Sequence, residues 1–332
     1  MPAEAASGLS FVPAASREPP QNHAAQVFWH RSGLHEKVMM TNYTGQAVQF
    51  ESLGAKMAGR LFLPEQDHQH GGSNPVLVIC HGAGEFKENY FDLCHCLAER
   101  GVATLAMDMH GHGESEGERF HVNMEEWVAD VRAAVGFLSN HPQLNGAHIG
   151  AFGLSSGGTA ILEAALVEPR LKALVALDAT VRSCMPMSAK LVLKTLILAG
   201  RIKKFFTKQD LRLSLLKMLE GVKMAADPEI ERQIRANPKA AEAFKAFPFP
   251  GAAHSFFVDT LQRVSRIQIP TLVLWGEEDE LDPPATARLL FEALVCRKQL
   301  HIIPGNGHVG HLDRNRGQVF TLTADWALAN LV

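Results

Sequence analysis

Residues 147–166 read AHIGAFGLSSGGTAILEAAL, and this stretch decides the fold. Ala147–Phe152 is an apolar run typical of a buried strand, and Gly158–Leu166 has the composition of a buried helix. Between them Ser155 occupies the centre of a Gly-x-Ser-x-Gly pattern. Glycines two residues to either side remove the Cβ atoms that would clash in a tight strand-to-helix corner. The pattern predicts a nucleophile elbow, which exposes the serine hydroxyl over a helix N-terminus.

The size and composition of the chain are those of a globular protein. It has 332 residues, of which 46% are hydrophobic and 20% charged, and its net charge is −3. This charge excludes whole-chain attraction to nucleic acid, and no apolar run is long enough for a transmembrane segment. Residues 1–40 are expected to form a partly disordered N-terminal extension. Residues 1–20 of it, rich in Ala, Pro and Ser, lack the pattern of a secretory signal.

The five cysteines have no spacing typical of a disulfide framework. Cys94-His95-Cys96 is a cluster of metal-ligand type, but no second ligand pair stands near it in the sequence. We interpret it as part of a helix and expect no metal. The cysteine pattern predicts a reducing, cytoplasmic location.

Short apolar runs alternate with longer segments of helical period along most of the chain. Repeated strand–helix–strand units with continuously apolar strands predict an α/β fold, with a mostly parallel central sheet flanked by helices. Residues 46–63 are expected to add an antiparallel hairpin at one edge. The predicted buried strands are Val76–Cys80, Val102–Met107, Ala147–Phe152, Ala173–Leu177, Thr271–Trp275 and Gln299–Ile303.

Residues 183–264 break this rhythm, because they are helical in pattern and contain no clear strand. We interpret them as a helical cap inserted into a core made of residues 41–182 and 265–332. Between Ser183 and Met224 nine Lys or Arg face two acidic residues, with leucines interleaved. This pattern fits cap helices with solvated lysines. It also fits a lid that shelters an acyl chain, or a peripheral contact with an acidic partner or a membrane surface.

A serine hydroxyl becomes a nucleophile at neutral pH only with a base in reach, and the base needs an orienting carboxylate. Asp279 and His308 each follow the end of a predicted strand. Open parallel sheets place their ligands at such carboxyl ends. We therefore predict that Ser155, Asp279 and His308 form a catalytic triad with His308 as the base.

An oxyanion hole is predicted at His81-Gly82-Ala83-Gly84, which follows the first long buried strand. Its glycines let the backbone turn so that an N–H faces a reacting carbonyl. The expected donors are the backbone amides of Ala83 and Ser156.

Neighbouring residues of the same type compete for these roles. Ser156 is off-centre between the glycines, and His311 lacks the glycine turn that precedes His308. Asp178 also ends a strand and is the alternative acid. Glu85, beside the oxyanion loop, has two open orientations, into the pocket or into solvent. The other acids in the loop that holds the predicted triad acid are interpreted as solvated charges: Glu277, Glu278, Glu280 and Asp282.

Together these motifs resemble the α/β-hydrolase fold of the serine-hydrolase type with a helical cap. The resemblance covers residues 40–332 and implies catalysis without a cofactor. It is poorly specific for substrate, because the fold carries esterases, thioesterases, lipases, peptidases and acyltransferases. The matching motifs are HG-x-G at 81–84, D-x-x-G-H-G-x-S at 108–115, the elbow at 153–157, G-x-x-D at 276–279 and G-x-G-H at 305–308.

The expected reaction is hydrolysis of a carboxylic ester or thioester with a hydrophobic acyl group, through an acyl-enzyme on Ser155. Two alternatives stay open. One is acyl transfer to an alcohol or amine by the same triad, and the other is a non-catalytic binding module on a hydrolase scaffold. The intact set of Ser155, Asp279 and His308 argues against the binding module. Acyl length, the choice among ester, thioester and amide, and the oligomeric state are left open.

Overall fold

A computed structural model describes residues 45–64, 74–183, 185–216 and 221–332 of the chain. All of these fall within one unit, Tyr43–Val332. The N-terminal extension expected at residues 1–40 lies outside the described residues. None of the helices in the described ranges is both long and apolar enough to cross a bilayer.

The strands and helices are numbered in chain order. The strands are β1 (Gln46–Ser52), β2 (Ala55–Phe62), β3 (Asn74–Cys80), β4 (Ala103–Met107), β5 (Leu144–Leu154), β6 (Leu171–Leu177), β7 (Leu211–Leu213), β8 (Phe247–Phe249), β9 (Thr271–Gly276) and β10 (Lys298–Ile303). The helices are α1 (Phe91–Glu99), α2 (Met124–Ser139), α3 (Ser156–Ala164), α4 (Met187–Thr207), α5 (Pro228–Ala236), α6 (Pro238–Lys245), α7 (Pro284–Ala293) and α8 (Arg316–Leu331).

One eight-stranded sheet has the order β1-β2-β4-β3-β5-β6-β9-β10. The pairs β1–β2 and β2–β4 are antiparallel, and the other neighbouring pairs are parallel. The predicted fold class is therefore confirmed, including the antiparallel hairpin at one edge. Every residue of β4 and of β9 is buried, which is why these strands read as unbroken apolar runs.

Helices cover both faces of the sheet. Trp127 of α2 and Ile161 of α3 pack into one apolar cluster, and both are fully buried. Leu97 of α1 and Ala327 of α8 pack into a second cluster on the other face. Burial of a large apolar side chain contributes about 1.5–3 kcal/mol, so the two clusters hold the parallel strands, and the loops at their carboxyl ends, in fixed positions.

The segment between β6 and β9 contains α4, α5, α6 and the short strands β7 and β8. These two strands pair antiparallel, with Leu211 opposite Phe249 and Leu213 opposite Phe247. The expectation that residues 183–264 hold no strand is therefore wrong in this detail. Strands of three residues are too short to show a period of two, and Pro248 lies in the middle of β8.

An ion-pair cluster joins this segment to the loop before α2. His121 contacts Asp210 (Nε2 to Oδ2, 2.6 Å) and Glu118 (Nδ1 to Oε2, 2.9 Å). Such a group has the composition of a metal site. However, the ammonium of Lys204 lies 2.6 Å from Glu118 and 3.2 Å from Asp210 and already supplies the positive charge. We interpret the cluster as a set of ion pairs that holds the segment against the rest of the protein.

Candidate active site

Ser155 lies at the corner between β5 and α3 with φ 51° and ψ −120°. This positive φ is unfavourable for a residue with a side chain and is kept only where the surroundings enforce it. A Cβ on Gly153 would lie 2.4 Å from the carbonyl oxygen of Gly157, and one on Gly157 would lie 2.4 Å from that of His81. Both glycines of the motif are therefore required by close backbone approach, and the corner carries the serine at the carboxyl end of β5.

The hydroxyl of Ser155 lies 3.3 Å from Thr180 Oγ1. Thr180 in turn donates its hydrogen to Asp282 Oδ2 at 2.7 Å. Because a threonine hydroxyl has one hydrogen, Thr180 can only accept from Ser155 in this arrangement. Within the part of the chain that the structure describes, the serine hydroxyl thus hydrogen-bonds Thr180 and not His308.

His308 and Asp279 form a buried pair at the ends of the neighbouring strands β10 and β9. The imidazole Nδ1 lies 2.9 Å from Asp279 Oδ2. The other carboxylate oxygen accepts hydrogen bonds from the backbone amides of Leu281 and Asp282, each at 2.9 Å. These two bonds fix the carboxylate, which in turn fixes the orientation of the ring. Nε2 is left as the imidazole nitrogen that can exchange a proton with another group.

The surroundings of His308 favour its charged form. Burial by itself lowers the pKa of this imidazole, but attraction to Asp279, followed by Asp282 and Asp178, outweighs burial and raises the pKa above its ordinary value. An opposite charge within hydrogen-bond distance stabilises an imidazolium. The site is therefore arranged to hold a proton on this ring once another group has given it up.

Asp178, the alternative acid, lies next to this pair but makes a different bond. Its Oδ1 accepts the backbone N–H of Gly276 at 2.7 Å, and its Oδ2 has no hydrogen-bond partner among the described residues. Burial, and then repulsion from Asp279, raise the pKa of Asp178 well above its ordinary value. The geometry thus gives the two acid candidates different surroundings. Asp279 is bonded to the imidazole, and Asp178 is a buried carboxyl that favours its neutral form.

The loop at residues 81–84 packs directly against the elbow. A Cβ on Gly82 would lie 3.4 Å from the Cβ of Ser155. Glu85 turns inward, where its Oε2 accepts the N–H of Gly82 at 2.9 Å and the hydroxyl of Tyr90 at 2.6 Å. Of the two orientations left open for Glu85, the structure shows the one into the cavity. There its carboxylate holds the loop at residues 81–84 in place.

The backbone amides of this loop differ in their partners. The N–H of Gly82 is bonded to a carboxylate, and that of Gly84 donates to His112 Nε2 at 3.3 Å. The amide of Ala83, between them, has no partner among the described residues. Ser156 is the first residue of α3, where an N–H has no acceptor within the helix. The two amides predicted as oxyanion donors are therefore not engaged by the described protein groups.

His311, the alternative histidine, is buried and stacks on Tyr90 with 4.2 Å between ring centroids and 5° between planes. Its Nε2 lies 3.7 Å from Glu85 Oε1, beyond hydrogen-bond distance. Burial lowers the pKa of His311 to about 4, which makes it a weak base near neutral pH. In the structure it is a buried packing residue that contacts Tyr90 and lies near Glu85.

The turn at residues 108–115 supports the site without lining the cavity. Asp108 accepts both the backbone amide of Lys87 at 2.8 Å and its ammonium at 2.7 Å. His110 lies 2.5 Å from the buried carboxylate of Asp130. Since His112 accepts the amide N–H of Gly84, this turn holds the loop at residues 81–84 in place.

Ser155 and His308 line the same cavity of about 540 Å³. This volume is within the range of about 300–1,000 Å³ for small-molecule sites. Its walls are mainly apolar, and Thr180 and Asp282 lie among its polar groups. The apolar wall includes Leu154, Met185, Leu215, Phe244, Phe247 and Phe256.

Thr180 and Asp282 are site residues that sequence reasoning missed. The sequence predicts a solvated loop charge at Asp282, but this residue is only 5% exposed. Glu277, Glu278 and Glu280 are exposed as expected. Their positions could have indicated the site, because Thr180 and Asp282 follow the ends of β6 and β9, which are neighbours in the sheet.

Comparisons with known proteins agree with this architecture. A family model described as serine aminopeptidase, S33, matches residues 72–315. A monoacylglycerol lipase of Mycolicibacterium smegmatis is 25% identical over 259 residues, which cover 77% of this chain and 89% of that protein. The polyketide transferase ATR5 of Stachybotrys chlorohalonatus is 24% identical over 294 residues, covering 85% of this chain and 95% of that protein. The crystal structure of the α/β hydrolase GrgF from Penicillium sp. sh18 matches with a TM-score of 0.72 at 20% identity, covering 86% of this chain and 98% of that chain.

Proposed function

The chain belongs to the serine aminopeptidase S33 family of α/β-hydrolase-fold serine hydrolases, and from this we propose that it cleaves esters or thioesters of a hydrophobic acyl group. One observation carries the proposal. Ser155 and His308 line a single apolar cavity, and the histidine is hydrogen-bonded to the buried carboxylate of Asp279. A strained serine, a base oriented by an acid and two available amides are what acyl transfer requires.

Acylation begins when the hydroxyl of Ser155 turns from Thr180 to Nε2 of His308. The serine oxygen attacks the carbonyl carbon, and its proton passes to Nε2 as the new C–O bond forms. The imidazolium is stabilised by Asp279, which accepts the hydrogen bond from Nδ1. The carbonyl oxygen gains negative charge and is bound by the amides of Ala83 and Ser156, each worth about 3 kcal/mol of transition-state stabilisation.

The leaving group departs when the bond between the acyl carbon and the substrate oxygen or sulfur breaks. His308 gives its proton to that atom, which restores the neutral imidazole. Water then enters, His308 takes its proton, and the hydroxide oxygen attacks the acyl carbon. Breakdown of this second intermediate returns the proton to Ser155 and releases the carboxylic acid.

The apolar wall supports a hydrophobic acyl group as the substrate. Met185, Leu215 and Phe244, all from the segment between β6 and β9, line the cavity. We therefore propose that residues 183–264 are the cap and that residues 41–182 and 265–332 are the core. The name of the monoacylglycerol lipase relative fits an ester with an apolar chain.

Acyl transfer to an alcohol or amine is the second candidate. It is favoured by the similarity to a polyketide transferase over most of both chains. The two reactions share the acyl-enzyme and differ in whether the cavity admits water or another acceptor. Location is a further part of the proposal: Cys80, Cys94, Cys96 and Cys296 are free thiols, which supports a reducing, cytoplasmic location.

A fluorophosphonate probe tests the proposed nucleophile. We expect the folded protein to be labelled on Ser155 and the Ser155→Ala variant to remain unlabelled. Ser156→Ala is the matched control, because it removes the adjacent hydroxyl and keeps the backbone amide. It should be labelled at nearly the wild-type rate. Labelling that persists in folded Ser155→Ala would refute the assignment.

A substrate panel tests the reaction. p-Nitrophenyl esters and CoA thioesters of graded acyl length, with an aminoacyl anilide as the amide representative, should show a preference for acyl chains that fill the cavity. Repeating the reaction with an added alcohol or amine separates the two candidates. Free acid as the product supports hydrolysis, and a new ester or amide supports transfer. If enzyme that the fluorophosphonate probe labels turns over none of these substrates, both reactions are contradicted and the binding module is favoured.

A further inference from the structure

Helix α4 exposes large apolar side chains along its outer side. Met187, Leu191, Leu198, Ile202, Phe205 and Phe206 are between 52% and 78% exposed. Large side chains of this kind are usually buried, and a contiguous exposed group of them marks an interaction surface. We call these six residues the apolar stripe.

The stripe faces directly away from the body of the protein. At 100° per residue, its six members lie within an arc of about 100° around the helix. The residues of α4 that are buried, Leu193 and Gly200, lie on the opposite side. The helix therefore has two apolar sides, and one of them packs on the protein. The other has no covering group in the described part of the chain.

The charges of α4 are all of one sign, and four of the five flank the stripe, whereas Lys204 lies on the packed side and pairs with Glu118 and Asp210. The helix contains five Lys or Arg and no acidic residue. By the same helical geometry, Lys190, Lys194 and Arg201 follow one border of the stripe and Lys203 lies beyond the other. Long cationic side chains therefore follow one border of the exposed apolar side closely, and on the other border the exposed Val192 and Ala199 lie between the stripe and Lys203. This is the pattern of a helix that lies in a membrane interface.

We propose that α4 docks the protein on an anionic lipid surface, with the apolar stripe among the acyl chains and the flanking cations at the headgroups. A second copy of the chain fits this surface poorly. Two-fold pairing of α4 with itself would set Lys and Arg against Lys and Arg, with no acid in the helix to compensate. Anionic headgroups supply the opposite charge along the whole helix.

The position of α4 gives the docking a consequence for the cavity. Met185, Pro186 and Ala189, at and before the start of the helix, line the cavity that contains Ser155. A docked helix therefore brings the mouth of the cavity close to the lipid surface. An apolar ester then enters from the bilayer without crossing water. This consequence rests on the proposed function, whereas the docking itself does not.

Vesicle flotation of the full chain tests the docking. We expect binding to vesicles of phosphatidylcholine with about a third phosphatidylglycerol, and at least tenfold weaker binding to phosphatidylcholine alone. Binding should weaken as salt is raised, since the Debye length falls to about 3 Å at 1 M. The Ser155→Ala variant should bind like the wild type, which separates this inference from the catalytic one.

Two double variants and one control locate the surface. Phe205→Ser with Phe206→Ser should lower binding by at least an order of magnitude, because two phenyl rings no longer leave water. Lys194→Glu with Arg201→Glu should lower binding to anionic vesicles by at least an order of magnitude. The control, Leu53→Ser with Val295→Ser, removes exposed apolar residues elsewhere and should bind within twofold of wild type. Fluorophosphonate labelling at the wild-type rate shows that each variant is folded.

Three results would overturn the proposal. The first is wild-type protein that binds neither kind of vesicle. The second is undiminished binding by the Phe205 and Phe206 double variant. The third is self-association that this variant abolishes while vesicle binding stays absent, which would make the stripe an interface between copies of the chain.

Discussion

Replacing Asp279 by Asn tests how the base is oriented, and the structure gives the size of the effect. One oxygen of Asp279 accepts the amides of Leu281 and Asp282. In Asp279→Asn the same two donors hold the remaining oxygen, so the new NH₂ group is turned toward His308 Nδ1. An amide NH₂ only donates, so Nδ1 must lose its hydrogen and Nε2 must carry it. That tautomer cannot take the proton of Ser155.

We expect kcat to fall about 10⁴-fold, which corresponds to about 5.5 kcal/mol of transition-state stabilisation. KM should stay within a few-fold, because the cavity walls are unchanged. Asp178→Asn is the matched control. Its carboxyl already favours the neutral form, and its amide oxygen keeps the bond to Gly276. We expect less than about a threefold loss of kcat for this variant.

Steady-state kinetics on a p-nitrophenyl ester measure both variants, and thermal denaturation shows that each is folded. A folded Asp279→Asn variant that keeps more than a tenth of wild-type kcat would show that Asp279 does not orient the base. So would an Asp178→Asn variant that loses as much activity as Asp279→Asn with an unchanged Tm. The second result would make the alternative acid the one that orients the base.

Substitutions also test the resting position of the Ser155 hydroxyl, the charge around His308 and the close backbone approach at Gly157. Thr180→Val removes the acceptor that holds the nucleophile hydroxyl at rest and should speed fluorophosphonate labelling about two- to tenfold, whereas slower labelling would contradict this role. The base must be neutral to act, so kcat/KM should fall as pH drops through the raised pKa of His308. Asp282→Asn removes a charge that raises this pKa, so in this variant the acid limb of the pH–rate profile should move to lower pH. An acid limb that moves to higher pH would contradict the effect of Asp282. Gly157→Ala should cost about 3 kcal/mol of unfolding free energy, measured by urea denaturation. Its control, Gly317→Ala in α8, where a new Cβ has nothing within 4 Å, should be neutral or stabilising; equal losses would refute the packing argument.

The sheet and the elbow could be predicted because their causes are local. Buried parallel strands are apolar at every position, and β4 and β9 show this as unbroken runs. The elbow leaves its own signature, since backbone atoms pass within 2.5 Å of where side chains on Gly153 and Gly157 would be. The proximity of Asp279 and His308 could be expected from their places at strand ends, and their catalytic roles stay a prediction.

The contacts of Thr180 and Asp282 could not be predicted in the same way. Both residues stand in loops after strands, and their bond depends on β6 and β9 being neighbours although a long segment separates them in the chain. An aspartate in a loop with several other acids has the pattern of a solvated charge, and only the fold shows that it is buried. The pairing of β7 and β8 is missed for a related reason, because three-residue strands carry almost no periodic signal.

The exposed side of helix α4 could not be predicted from the sequence either. Its sequence pattern of Leu and Lys fits both a solvated cap helix and a surface-binding one. The difference lies in which side packs on the protein, and this depends on Leu193 and Gly200 being the buried residues. The direction of the apolar stripe is therefore a property of the tertiary structure.

Trapping the acyl-enzyme is the most direct test of Ser155 as the nucleophile. Wild-type protein is mixed with an excess of a p-nitrophenyl ester, quenched in acid within the first turnover, digested and analysed by mass spectrometry. We expect the mass of one acyl group on the peptide that contains Ser155, with none on the same peptide from Ser155→Ala. An acyl group on a different residue, or undiminished ester turnover by Ser155→Ala, would contradict the assignment of Ser155 as the nucleophile.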